Sequence, residues 1–131
     1  MIKILEVTDH AKASKLKDAL MGLGGFDKDA VTLFVVTFDL NAFTFYGERN
    51  QGYLNAGLVA MRFADALHFK GIGSCFLQWG NTGAEEAAIS KLLNLKDSER
   101  IAVVLGAGYY PDCTMVPYSH RKEISEIFIE V

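Results

Sequence analysis

The chain has 131 residues, half of them hydrophobic and 22% charged, with a formal net charge of −3. That length suits a single domain, residues 1–131, with a sizeable core, and the composition excludes a disordered chain. The acidic balance and the scattered Lys and Arg exclude nucleic acid as a partner, because phosphate binding needs a basic face.

Two cysteines, Cys75 and Cys113, stand in no CxxC arrangement. They read as reduced thiols of a cytoplasmic protein rather than as zinc ligands or a redox pair. The N-terminus lacks the apolar run and small-residue cleavage site of a signal peptide. The apolar stretch from Tyr53 to Phe69 contains Asn55, Arg62, Asp65 and His68, which are costly in lipid, so no membrane segment is expected.

In chain order, Ile2, Ile4, Leu5 and Val7 mark a first strand. Thr8-Asp9 offers cap oxygens for a helix from about Ala11 to Met21, with Leu16, Ala19 and Leu20 on one face and Gly22, Gly24 and Gly25 closing it. Val31–Phe38 is apolar on both parities, the pattern of a central strand covered on both faces. Gly47–Asn50 is a polar turn. The longest helical pattern follows, from about Gln51 to Phe69, with Leu54, Leu58, Met61, Ala64 and Leu67 on a broad apolar face. A polar stripe this narrow predicts burial on most sides, in the domain's centre or in a subunit interface.

Gly71-Ile72-Gly73 ends that helix, and Ser74–Leu77 reads as a short extended segment. Thr82-Gly83-Ala84-Glu85 has the capping-box pattern for a helix to about Asn94. Ile101–Leu105 is a further strand, and the alternation in Glu126–Val131 predicts an extended edge strand. The fold class is α/β (α+β), a sheet covered by helices.

The three glycine clusters do not make a dinucleotide site, since none has the strand, GxGxxG, helix order that sets pyrophosphate on a helix N-terminus. His10, His68 and His120 lack the spacing of metal ligands. Cys75 could act as a nucleophile with His68 or His120 as base; the plainer reading is a small buried hydrophobe. Ser119-His120-Arg121-Lys122 is a basic solvated turn, or, facing an anion, a place where Arg121 would clamp phosphate.

The order of these pieces resembles the nitroreductase family of flavoproteins. The likeness runs from Tyr53-Leu54-Asn55-Ala56-Gly57-Leu58-Val59-Ala60-Met61 into Lys70-Gly71-Ile72-Gly73-Ser74-Cys75-Phe76-Leu77. It continues through Leu92-Leu93-Asn94-Leu95 and Ile101–Tyr109 to Ser119-His120-Arg121-Lys122-Glu123-Ile124. The resemblance implies a three-layer sandwich, a central sheet flanked by helices, that forms a homodimer through its long helices with FMN at the interface. It places Ser74, Cys75, Phe76, Leu77 and Gln78 along the flavin ring, their backbone N–H groups donating to its reactive edge. It places Arg121, with Ser119 nearby, at the phosphate. The implied reaction passes electrons from NAD(P)H through FMN to a small-molecule acceptor such as a nitroaromatic or quinone, with no side chain as nucleophile.

The chain departs from the family in one respect. It starts at what resembles the first strand, and neither the Arg-Ser-x-Arg-type motif that holds the FMN phosphate nor the following Asn/Gln-Pro segment occurs in it. Losing two charge-assisted contacts of about 1.5–3 kcal/mol each implies weaker FMN binding or none. The alternative function is accordingly an N-terminally truncated nitroreductase-like domain without activity, serving as a binding or assembly module.

Overall fold

The first elements form where the local pattern puts them. β1 (Ile2–Val7) leads into α1 (His10–Ala19), capped by Asp9, whose carboxylate accepts from the N–H groups of Ala11 (2.9 Å) and Lys12 (3.0 Å). Those two backbone donors hold the Asp9 carboxyl below its usual pKa, Lys12 contributing most. This is a computed structural model, and it describes residues 1–20, 31–115 and 118–130. The glycines expected to close the first helix, with Met21, lie outside the described residues.

β2 (Thr32–Asp39), α2 (Gln51–Phe69), β3 (Gly73–Leu77), α3 (Ala84–Leu92), β4 (Glu99–Gly108) and a four-residue α4 (Ile124–Ile127) follow as the strands and α-helices among the described residues. The four strands pair antiparallel in the order β1-β2-β4-β3. β2 is an inner strand, as its two apolar faces require. Its register on β4 passes from Val36↔Val103 to Thr37↔Ile101. The extra residue is Ala102, and both Ala102 and Val103 pack on the α2 side, the two-against-one geometry of a β-bulge.

The sheet separates two cores, giving three layers. On one face Leu16 and Leu20 near α1 and Ile89 of α3 pack with Leu33, Val35, Leu77, Ile101 and Val104. On the other, Val36, Phe38 and Leu105 meet Ala56, Ala60 and Ala64 of α2. The residues of α2 nearest the sheet are therefore small, Gly52, Ala56, Ala60 and Ala64 at four-residue spacing, which lets the helix lie close to a surface carrying large rings. Phe63 adds an edge-to-face contact with Phe34, centroids 5.0 Å apart.

The expected apolar face of the long helix divides within one chain. Ala64 is buried, but Leu54, Leu58 and Met61 are 57%, 62% and 53% exposed. These three lie outside both cores and are more than half exposed.

Two expectations are corrected. Thr82 does not cap α3: the cap residue is Gly83, at φ 61°, with no side-chain hydrogen bond. The positive φ puts the backbone on a path that glycine follows without steric cost. Residues 126–130 form no strand. Ile124–Ile127 is a helical turn in which Glu123 and Glu126 satisfy one another's backbone donors and Phe128 N–H reaches the Ile124 carbonyl at 2.7 Å. Alternation alone does not make a strand when no sheet edge pairs with it. Val131 lies outside the described residues.

Lys3 on β1 and Glu99 at the start of β4 form an ion pair across the intervening β2. Glu99 is buried, and its second oxygen accepts from Lys96 N–H at 3.0 Å. The bond from Lys3, then that from Lys96, outweighs burial and holds the Glu99 carboxyl below the ordinary glutamate value. A depressed folded-state pKa contributes stability in full above the unfolded value and loses it as pH falls through the folded one. Glu99→Gln should therefore lower the melting temperature most near neutral pH. The gap to the unaltered protein should close below about pH 4.5, which melting curves across a pH series will check.

Candidate functional site: the β3 edge of the sheet

β3 follows α2 through a tight exit. Ile72 N–H bonds the Leu67 carbonyl (3.0 Å) and Gly71 N–H the His68 carbonyl (2.9 Å), with Gly71 at φ 73°, the two-bond Schellman closure. The strand that emerges is last in the sheet, paired from Gly73 to Leu77 with β4 alone. Its other edge has no strand partner among the described residues, so outward-facing backbone N–H and C=O groups there are available to a ligand.

Leu77 is buried in the α1/α3 core and anchors the strand, whereas Ser74, Cys75 and Phe76 are exposed. Gln78 follows in an isolated bridge position, also exposed. The loop beyond is tied down: Asn81 Nδ2 donates to the Ala19 carbonyl at 2.8 Å, and Trp79 packs on the core. The sequence reading missed both residues. An Asn between two short elements signals a turn, but nothing local tells that it caps a helix sixty-two positions away in sequence.

Cys75 corrects the buried-hydrophobe expectation, because its strand runs past the cover of the helices and leaves the thiol exposed. Its sulfur lies 3.6 Å from the adjoining Phe76 carbonyl. His68 stacks loosely with Phe69 and His120 with Tyr118. Among the described residues neither histidine hydrogen-bonds Cys75, the contact through which a base would activate the thiol.

Ser119 and Arg121 lie in the stretch 118–130, exposed at every position. No hydrogen bond or ion pair among the described residues involves either one, and none ties them to β3. The strand brings Ser74–Gln78 together. The same stretch exposes Tyr118, Ile124, Ile127, Phe128 and Ile129.

A cavity of about 500 Å³ lies elsewhere, between α3 and the start of β4, lined by Glu86, Ser90, Lys91, Lys96, Asp97 and Arg100 among others. Its charges are of both signs, and Arg100 is spent on the carbonyls of Asp97 (2.6 Å) and Glu99 (2.9 Å). It offers no convergent chemistry. Among the described residues no three His, Cys, Asp or Glu side chains gather as metal ligands, and no helix is long and apolar enough to cross a membrane.

A family model described as "Nitroreductase family" matches residues 3–109. The chain belongs to the nitroreductase family. The matched span includes the sheet from Lys3 onward, the long helix and the β3 edge, and stops just past β4. Among solved structures the chain is similar to an NADPH:FMN oxidoreductase of Vibrio harveyi, solved with NAD+, at TM-score 0.78 and 19% identity, over 98% of this chain and 58% of that one. It is similar to a nitroreductase family protein of Streptococcus pneumoniae at TM-score 0.75 and 20% identity, over 98% and 78%. It is also similar to an FMN-dependent nitroreductase of Clostridium difficile at TM-score 0.70 and 19% identity, over 90% and 68%. At such identities these likenesses establish the nitroreductase fold. No match was found among curated protein sequences.

Proposed function

We propose that this nitroreductase-family chain is an FMN-dependent oxidoreductase working as a homodimer, and that the β3 edge is its flavin-facing surface. The observation carrying this reading is the placement of Ser74–Leu77 at an unpaired sheet edge, exposed at three positions and anchored at Leu77. A flavin ring needs a flat row of fixed donors, and a strand edge supplies one through its backbone. The FMN phosphate needs a cation, and Arg121 is exposed with no ion pair among the described residues. The residues fit the group.

In this reading the outward N–H groups of β3 bind the ring and stabilise negative charge there, and Arg121, with Ser119, holds the phosphate. FMN, when bound, supplies a carrier that accepts hydride from NAD(P)H and passes electrons to a nitroaromatic, quinone or similar acceptor. The protein's own part is orientation and charge stabilisation, which needs no side-chain nucleophile.

The homodimer is supported by the exposed side of α2 and by the exposed apolar stretch 118–130. An apolar patch of this kind on a soluble domain marks an interaction surface. A second copy also offers a way for Arg121 to reach a β3 edge to which no hydrogen bond or ion pair among the described residues ties it.

NAD(P)H–quinone turnover by the purified protein with added FMN tests the proposal. Cys75→Ser should leave turnover largely intact, because it keeps the backbone. Arg121→Ala should weaken FMN by about 1.5–3 kcal/mol, the size of one charge-assisted contact. Arg100→Ala should change FMN affinity little, since that guanidinium is engaged with carbonyls. A folded dimer with neither flavin binding nor turnover would instead support a role as an assembly module.

A further inference from the structure

A methyl group built on Gly73, the first residue of β3, would lie 2.6 Å from Cδ1 and 3.1 Å from Cε1 of Tyr110, and 3.3 Å from the Gly108 carbonyl oxygen. The Tyr110 ring thus occupies the space a side chain at position 73 would take. Gly73 is paired with Gly108, the last residue of β4. A glycine pair contributes no cross-strand side-chain contact, and glycine weakens a strand end. Among the described residues this strand has only one neighbour, so its beginning would fray without another cover.

Tyr110 is presented from a constrained segment. Pro111 restricts the backbone of the residue before it. The Pro111 carbonyl accepts from both the N–H (3.0 Å) and the hydroxyl (2.8 Å) of Thr114, closing a turn. The ring is 53% exposed, so it lies over the strand rather than being lost in a core.

We propose that Tyr110 is a positioning residue, a clamp over the start of β3 that fixes the backbone of Ser74–Phe76 in the geometry the flavin requires. The role rests on the flavin reading above. It makes two demands: position 73 must be glycine, and position 110 must be a flat ring.

The test uses four variants, Tyr110→Phe, Tyr110→Ala, Gly73→Ala and the last two combined. Two readouts are taken on the same full-length protein: amide hydrogen exchange across residues 73–77, with β2 as internal reference, and FMN affinity by flavin fluorescence titration. Tyr110→Ala should speed exchange at 74–76 by about tenfold with β2 unchanged, and weaken FMN by a similar factor. Tyr110→Phe, which keeps the ring, should match the unaltered protein. Gly73→Ala should imitate Tyr110→Ala because its methyl expels the ring, and the double variant should be no worse than either single one. Unchanged β3 exchange in Tyr110→Ala, or additive losses in the double variant, overturns the clamp even where FMN binds normally. Absence of FMN binding by the unaltered protein overturns the flavin reading and this role with it.

Discussion

Phe38→Ala should destabilise the protein by about 3–5 kcal/mol, the cost of emptying a fully enclosed aromatic site. Phe38 is 1% exposed. Its ring meets Tyr53 edge-on at 4.7 Å between centroids and Phe43 at 6.2 Å, and it is the surface on which the start of α2 rests. A methyl group on Gly52 would fall 2.3 Å from Cδ2 of that ring, so helix and ring are fitted with no slack. Against a total stability of about 5–15 kcal/mol for a domain of ordinary size, the loss is a large fraction. Urea unfolding should show the midpoint falling with little change in slope. Gly52→Ala alone should cost about 1–3 kcal/mol through overpacking. In the Phe38→Ala background the same methyl enters the vacated space and should cost much less. Equal costs in both backgrounds would mean that the ring does not set the helix's approach.

The second large effect concerns assembly. Leu54→Glu combined with Leu58→Glu should turn the proposed homodimer into a monomer while leaving the fold intact. Both side chains are more than half exposed and outside both cores, so within one chain their replacement removes little buried area. In a symmetric interface each substitution occurs twice. A buried carboxylate without a partner costs about 1–3 kcal/mol or more, so dimer affinity should fall on the order of a hundredfold or beyond. Light scattering coupled to size exclusion, beside a melting curve, reads both quantities. A variant that stays dimeric would place the interface elsewhere; one that unfolds would show that these leucines belong to the chain's own core.

Much of the fold was legible because it is local. Asp9 caps α1 as its side chain suggests, and Gly71 ends α2 because the exit needs a positive φ. The two-sided apolarity of Val31–Phe38 identified an inner strand. What the pattern left open was which side of α2 meets the sheet. Hydrophobic weighting favours Leu54, Leu58 and Met61, yet β2 presents the Phe34 and Phe38 rings there. The small residues Gly52, Ala56, Ala60 and Ala64 let the helix lie close to such rings. The strand order depends on contacts between distant segments, which periodicity does not encode.

The candidate site was legible in part for a similar reason. Ser74–Gln78 is continuous in sequence, so its extended form could be read directly. Tyr110 could not be read, because its meaning lies in the empty space over Gly73. The signal was present only as a glycine at one strand's start and a Tyr-Tyr-Pro run after another's end. Arg121 is in the opposite position: its chemistry was legible, but no hydrogen bond or ion pair among the described residues ties it to β3.

The most direct test of the central claim is titration of the purified protein with FMN, followed by flavin fluorescence and by the flavin absorbance band. The β3-edge reading predicts saturable quenching at one FMN per chain, with affinity reduced by Arg121→Ala. It predicts a larger reduction for Phe76→Pro, which removes a backbone donor from β3, provided melting curves show the fold retained. A folded protein that shows no saturable FMN binding, or one whose binding is indifferent to both substitutions, would contradict it.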